Sequence, residues 1–204
     1  MTPARTLDVS GLPPYEISNR APLWSGQVLM AVIEGSLFCM LIAMYFYIRI
    51  SVDVWPPPGV PLLPVMMPSL ALIPLVLSAG GSYAASEGAK KDKPGLMIIG
   101  LVANLVLAII FLALRFAEWR SFNFTYEADI HGTLVWSMLF LHSFDAIADL
   151  IMTLVLILAL VLGRHGPKLR LGVHVDSVLW YFIVLIWIPM YVAVYWGPHL
   201  TATK

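Results

Sequence analysis

Long apolar stretches separated by short charged or proline-rich breaks dominate the chain, at about 24–48, 65–83, 96–117, 134–162 and 177–196. Each is long enough to cross roughly 30 Å of hydrocarbon, which takes about 20 residues of α-helix. None alternates polar and apolar positions with the period of two that a barrel strand requires. Because backbone polar groups in lipid must be satisfied within the segment, the pattern predicts helices. The expected fold class is all-α integral membrane: a five-transmembrane-helix bundle with one membrane domain over 24–204. Residues 1–23 contain Pro3, Pro13, Pro14 and Pro22 and no apolar run, so they read as an extended N-terminal arm and not as a signal peptide.

Composition sharpens this picture. Of 204 residues, 60% are apolar and only 12% are charged, about half the charged share of an ordinary soluble domain. With a mean hydropathy of +0.85 there is too little polar surface to cover a water-soluble core. Twelve basic and twelve acidic residues cancel, which excludes the strongly basic footprint of a nucleic-acid binder. A lone cysteine, Cys39, excludes a disulfide within the chain and a cysteine-built zinc or iron–sulfur site.

Charge placement predicts an orientation. Arg5, Arg20, Lys90, Lys91, Lys93, Arg164, Lys168 and Arg170 fall on one side of the expected membrane, against Arg49, Arg115, Arg120 and Lys204 on the other. By the positive-inside rule the N-terminus and the 84–95 and 163–174 loops face the cytoplasm, and the C-terminus lies outside. Trp24, Trp55, Trp119, Trp180 and Trp196 fall near expected helix ends, where indole rings anchor at headgroup level. The 53–64 segment carries five prolines, which exclude helix and favour an extended outer loop. Such a loop either holds a fixed shape against a partner or is a stiff connector.

Ionisable residues within the spans are few and are therefore the candidates for chemistry. Glu34, in the first span, has no basic residue within two helical turns. It reads either as a proton-accepting carboxyl or as a neutral acid hydrogen-bonded to a neighbouring helix. In the fourth span His142, Asp145 and Asp149 project within a sector of about 60°, one face that must turn inward. With Glu34 they are expected to form an intramembrane polar network in which neighbouring carboxyls share a proton or pair with His142. That network could relay protons or lock the helices. A metal site there is disfavoured, because no further strong ligand stands on another span. Arg115 and Glu118, with Trp119 and Arg120 beside them, have the spacing of an ion pair on a last helical turn, expected at the outer membrane surface. His174 and Asp176, at the start of the fifth span, could bond locally or reach lipid headgroups, and His131, His165 and His199 fall in loops or the tail. No haem-attachment, Walker, His-Glu-x-x-His or Gly-x-Ser-x-Gly motif is present. One histidine well inside the spans is too few for a pair of haem ligands plus a copper site, so no cofactor is expected in this chain.

Ordered landmarks resemble subunit III of the haem–copper cytochrome c and quinol oxidases. Glu34 and the exit Tyr45-Phe46-Tyr47-Ile48-Arg49 are similar to that family's glutamate helix. Trp55-Pro56-Pro57-Pro58-Gly59 resembles its Trp-Pro-Pro loop, and Ala117-Glu118-Trp119 its Glu-Trp helix end. Residues 132–149 resemble its glycine-, threonine- and histidine-rich helix, with His142 at the first histidine of a His-Gly-x-His motif. Val175-Asp176 followed by Trp180 resembles the start of its last helix. Asp145 stands at the motif's second histidine, Asp149 at a usual glycine, and His174 is one residue closer to Asp176 than is usual, the marks of a divergent branch. The resemblance covers roughly 20–198 and matches the short five-helix bacterial form. It implies a non-catalytic accessory subunit of a terminal oxidase in the bacterial cytoplasmic (inner) membrane. Such a subunit packs beside catalytic subunit I and subunit II, which carry the haem and copper, and it binds phospholipid and supports proton uptake and stable turnover. From the residues alone, a proton-coupled transporter or an intramembrane metal- or quinol-binding protein using Glu34, His142, Asp145 and Asp149 is the alternative.

Overall fold

The computed structural model describes residue 17 and residues 21–201. Apart from Ile17 and its last three residues, the arm expected over 1–23 lies outside the described residues. Five long helices follow in order: α1 (Pro22–Ile50), α2 (Met66–Lys90), α3 (Pro94–Trp119), α4 (Ile130–Val161) and α5 (Pro167–Tyr191). A π-helical turn, Val192–Trp196, then leads into a short α6 (Gly197–Thr201). There is no strand among the described residues, and all five long helices are long and apolar enough to cross a membrane. At 25 to 32 residues they run to about 38–48 Å, more than the hydrocarbon thickness, so their ends project into the headgroup layers.

Local chemistry sets where these helices begin. Pro22, Pro94 and Pro167 open α1, α3 and α5, where the missing N–H has no intrahelical partner in any case. Asp129 caps α4, its carboxylate accepting from the Gly132 N–H at 2.7 Å. Two ends differ from expectation. Most of the expected 84–95 loop is helix, because α2 runs on to Lys90 and only residues 91–93 turn. Likewise α5 begins at Pro167, inside the expected 163–174 loop. Hydropathy marks those turns as outside the membrane, yet Ala85, Ser86, Gly88 and Ala89 are buried in the bundle. The earlier start of α5 also puts Trp180 in mid-helix and not near a helix end, fully buried and donating to Ser78 Oγ at 2.8 Å.

Small residues explain how a polar-looking turn can be interior. α2 and α3 approach backbone to backbone: a Cβ on Gly81 would lie 2.6 Å from the Asn104 nitrogen, and one on Gly100 would overlap the Ala85 nitrogen. Such contact is the usual basis of helix association in lipid, where no hydrophobic force distinguishes the interface from its surroundings. Across α2 and α5, Ser177 Oγ donates to the Ser82 carbonyl at 3.0 Å, and Ser86 Oγ and His174 Nδ1 bond at 2.8 Å. α1 sits at the margin. It packs on α4 and α5 through Phe38 and Tyr45 and leaves Leu29, Ile33, Met40 and Tyr47 on an exposed flank.

Segment 51–65 is non-helical, as its prolines require, and it is docked on the bundle. Trp55 Nε1 donates to the Tyr45 hydroxyl at 3.0 Å, and the Trp55 ring lies 5.0 Å from that of His131. Pro56 and Pro57 follow, half-buried. His131 is therefore not a loop residue. It is buried in the first turn of α4 among Tyr45, Trp55 and Phe124. His199, in α6, donates through Nε2 to the Leu63 carbonyl at 3.3 Å.

Candidate functional site

The membrane-embedded polar groups divide into two clusters with an aromatic layer between them. The first is built by α3 and the π-helical turn. Asn104, Ala108, Phe111, Arg115 and Glu118 recur at helical spacing along the buried side of α3, which carries Arg115 and Glu118 inward. Both are about fully buried, at 0% and 1% exposure. Arg115 Nη1 donates to Glu118 Oε2 at 3.4 Å and to the Tyr195 hydroxyl at 3.3 Å, and Tyr195 in turn donates to Glu118 Oε1. The guanidinium carbon lies 3.7 Å from the centroid of the Trp187 ring, a cation–π contact in a poorly hydrated site.

The ion pair expected on the last turn of α3 is present, and it is buried inside the bundle. Nearness in sequence to the 120–129 loop suggested interface, whereas α3 keeps both side chains on its packed face; Arg120, by contrast, is exposed. Trp119 is half-buried against Trp136 at 5.5 Å. Tyr195 escaped the sequence reading because the wide turn changes the register. Ala193, Val194 and Tyr195 are buried in succession, which a straight α-helix at a bundle surface does not allow. Pro189, shortly before the turn, was the signal of an irregular helix.

His142 lies in the aromatic layer. It is fully buried, and its Nε2–H donates to the Ile183 carbonyl of α5 at 2.9 Å. The rings of Phe38, Phe111 and Trp187 surround it at 6.3, 6.0 and 5.0 Å. No described hydrogen bond joins it to Asp145, Asp149 or Glu34. The imidazole is thus held by a backbone acceptor of α5 and not by the carboxyls of the expected network.

The second cluster joins α1, α4 and α5. Asp145 is within electrostatic range of Glu34, and Asp149 within range of both Glu34 and Asp176. Asp176 Oδ2 accepts from Thr153 Oγ1 at 3.0 Å. Asp149 is 2% exposed, yet neither of its oxygens accepts a hydrogen bond, and Glu34 Oε2 is buried and equally unpartnered. Glu34 and Asp145 are only half-buried, at the seam between α1 and α4. Asp176, expected to act locally or at headgroups, is instead a member of this cluster, reached from α5 nine residues after its start. Among the described residues no group of three or more His, Cys, Asp or Glu is placed to hold a metal ion.

A bundle of five apolar helices that gathers its ionisable side chains inside is an integral membrane protein. A sequence model of the family "Cytochrome c oxidase subunit III" matches residues 16–198, and the chain belongs to that family. Similar proteins named cytochrome c oxidase subunit 3 include that of Triticum aestivum, 25% identical over 177 residues, which cover 84% of this chain and 67% of the relative. That of Rhizopus stolonifer is 24% identical, covering 84% of this chain and 63% of the relative. That of Pyricularia grisea is 26% identical over 181 residues, with 84% and 66% covered. The chain therefore spans about two thirds of the length of these relatives.

Proposed function

We propose that this chain is a non-catalytic accessory subunit of a terminal respiratory haem–copper oxidase in the cytoplasmic membrane of a bacterium. In this reading it packs beside catalytic subunit I and subunit II, holds phospholipid, and supports proton uptake and stable turnover without haem or copper of its own. The observation that carries the reading is the subunit III family match over 16–198, nearly the whole helical bundle. The N-terminus and the 91–93 and 162–166 turns face the cytoplasm, as the eight-to-four distribution of Lys and Arg between the two sides favours.

Purification from native membranes under mild detergent tests this directly. The chain is expected to co-purify with a haem-bearing subunit, and after separation to show neither a haem band nor a stoichiometric transition metal. Purification without any haem-bearing partner overturns the reading, as does a haem or metal that stays with the separated chain. Orientation is tested with cysteines at Lys91 and Val60 and an impermeant thiol reagent in intact cells. Only Val60→Cys should label, and labelling of Lys91→Cys alone reverses the topology.

A further inference from the structure

The seam between α1 and α4 exposes an imbalance that the chain does not resolve by itself. Glu34 of α1, Asp145 and Asp149 of α4 and Asp176 of α5 stand on three helices that pack on one another. No described basic side chain makes a salt bridge with any of them. Arg115, the basic residue deepest in the bundle, is already engaged by Glu118, Tyr195 and Trp187. Asp149, one turn further along α4, is almost completely buried with both oxygens unpartnered, whereas Asp145 is half-exposed. On the same side of α1, two turns before Glu34, Gln27 also has a buried, unpartnered amide nitrogen.

Asp145 is midway along α4, so the seam opens at about the centre of the membrane. Met30 and Leu37 on α1 and Ala148 and Met152 on α4 flank it, all exposed. Lipid tails offer such carboxyls nothing, and headgroups do not reach that depth. A second copy would set the same acids against one another, which adds repulsion. The described residues do not form a metal-binding group.

We propose that this seam is the docking site of a transmembrane helix from another subunit, which presents a basic side chain to Asp145 and Glu34, the two half-exposed carboxyls at its edge. An ammonium or guanidinium there donates to the half-exposed Asp145 carboxyl, which has no described hydrogen bond or salt bridge, the same kind of pairing that Arg115 gives Glu118 within this chain. The inference rests on the chain being a subunit of a larger complex, and the two fail differently. Absence of any partner breaks that reading, whereas an intact complex with a non-basic neighbour at the seam breaks only this one.

The test is photo-cross-linking in the native membrane complex, with a benzophenone amino acid at Leu37 or Met152 and a control at Ile99, which is exposed on α3. Mass spectrometry should place both seam adducts on one transmembrane segment of another subunit, with Lys, Arg or His within one helical turn of the attachment point. Replacing that basic residue by Met should reduce retention of this chain in the complex severalfold, and adding Asp145→Leu should reduce it no further. Adducts with lipid alone, with a second copy of this chain or with a helix lacking a basic residue overturn the proposal, as does independent additivity of the two replacements.

Discussion

The Arg115–Glu118 cluster and the Glu34–Asp149 seam are both made of charged-type side chains inside a membrane bundle, and they are resolved in opposite ways. In the first, a cation, a carboxylate and a phenol from α3 and the π-helical turn bond to one another and stack on Trp187, all within this chain. In the second, carboxyls from α1, α4 and α5 meet with one described side-chain donor among them, Thr153, and part of the cluster remains open on the flank of the bundle. A buried charge is tolerated when its partner is buried with it, and it becomes destabilising when the partner is missing. The first cluster is therefore closed within this chain, and the second is where the partner helix is proposed to dock.

The largest effect that could break this comparison is expected from Arg115→Leu, which strands Glu118 with one phenol. Breaking a buried pair from one side costs about 3–5 kcal/mol. The separated subunit should unfold at a much lower temperature or fail to accumulate. The double variant Arg115→Leu with Glu118→Leu should recover most of the loss, because no buried charge is left alone. If the double variant is no better than the single, the cluster does not act as a pair. Tyr195→Phe removes only the hydroxyl and is expected to destabilise by about 1–3 kcal/mol in the same thermal measurement. A change within error would show that the π-helical turn does not support the cluster.

Seam variants sharpen the contrast because their sign depends on context. In the separated subunit Asp149→Leu removes an unpartnered buried carboxyl, so stability should hold or rise by about 1 kcal/mol. Asp149→Asn, sealed inside the bundle, keeps shape and hydrogen-bonding capacity and should assemble and sustain turnover nearly as the parent does, whereas Asp145→Asn leaves the partner's cation without its counter-charge and should lower retention of the chain in the complex. Slowed proton uptake with normal assembly in the Asn variants, measured in reconstituted vesicles, would instead make the seam a proton relay.

Much of this architecture is legible in the residues, and the failures have physical causes. The five spans can be read because a lipid-facing helix must be apolar over its full length, as the exposed flanks of α1 and α4 show. The turns from Ala84 to Lys90 cannot, since their packed side is interior through close backbone approach at Gly88 and Gly100, a packing signal invisible to hydropathy. Helical periodicity correctly puts His142 and Asp149 on the buried side of α4. It does not reveal that His142 bonds to the Ile183 carbonyl, because that acceptor belongs to α5 and depends on the relative height of two helices. Asp176 and Thr153 meet for the same reason, across 23 positions of sequence. Arg115 was placed at the surface by its nearness to a loop, although its spacing from Phe111, Ala108 and Asn104 already put it on the packed face of α3.

The most direct test of the open seam is the stability of Asp145→Leu with Asp149→Leu, measured by thermal unfolding of the separated subunit and by detergent-resistant retention in the assembled complex. The account predicts little or no loss in the separated chain and a severalfold loss of retention in the complex. An equal loss in both would contradict it, because the carboxyls would then be part of this chain's own fold.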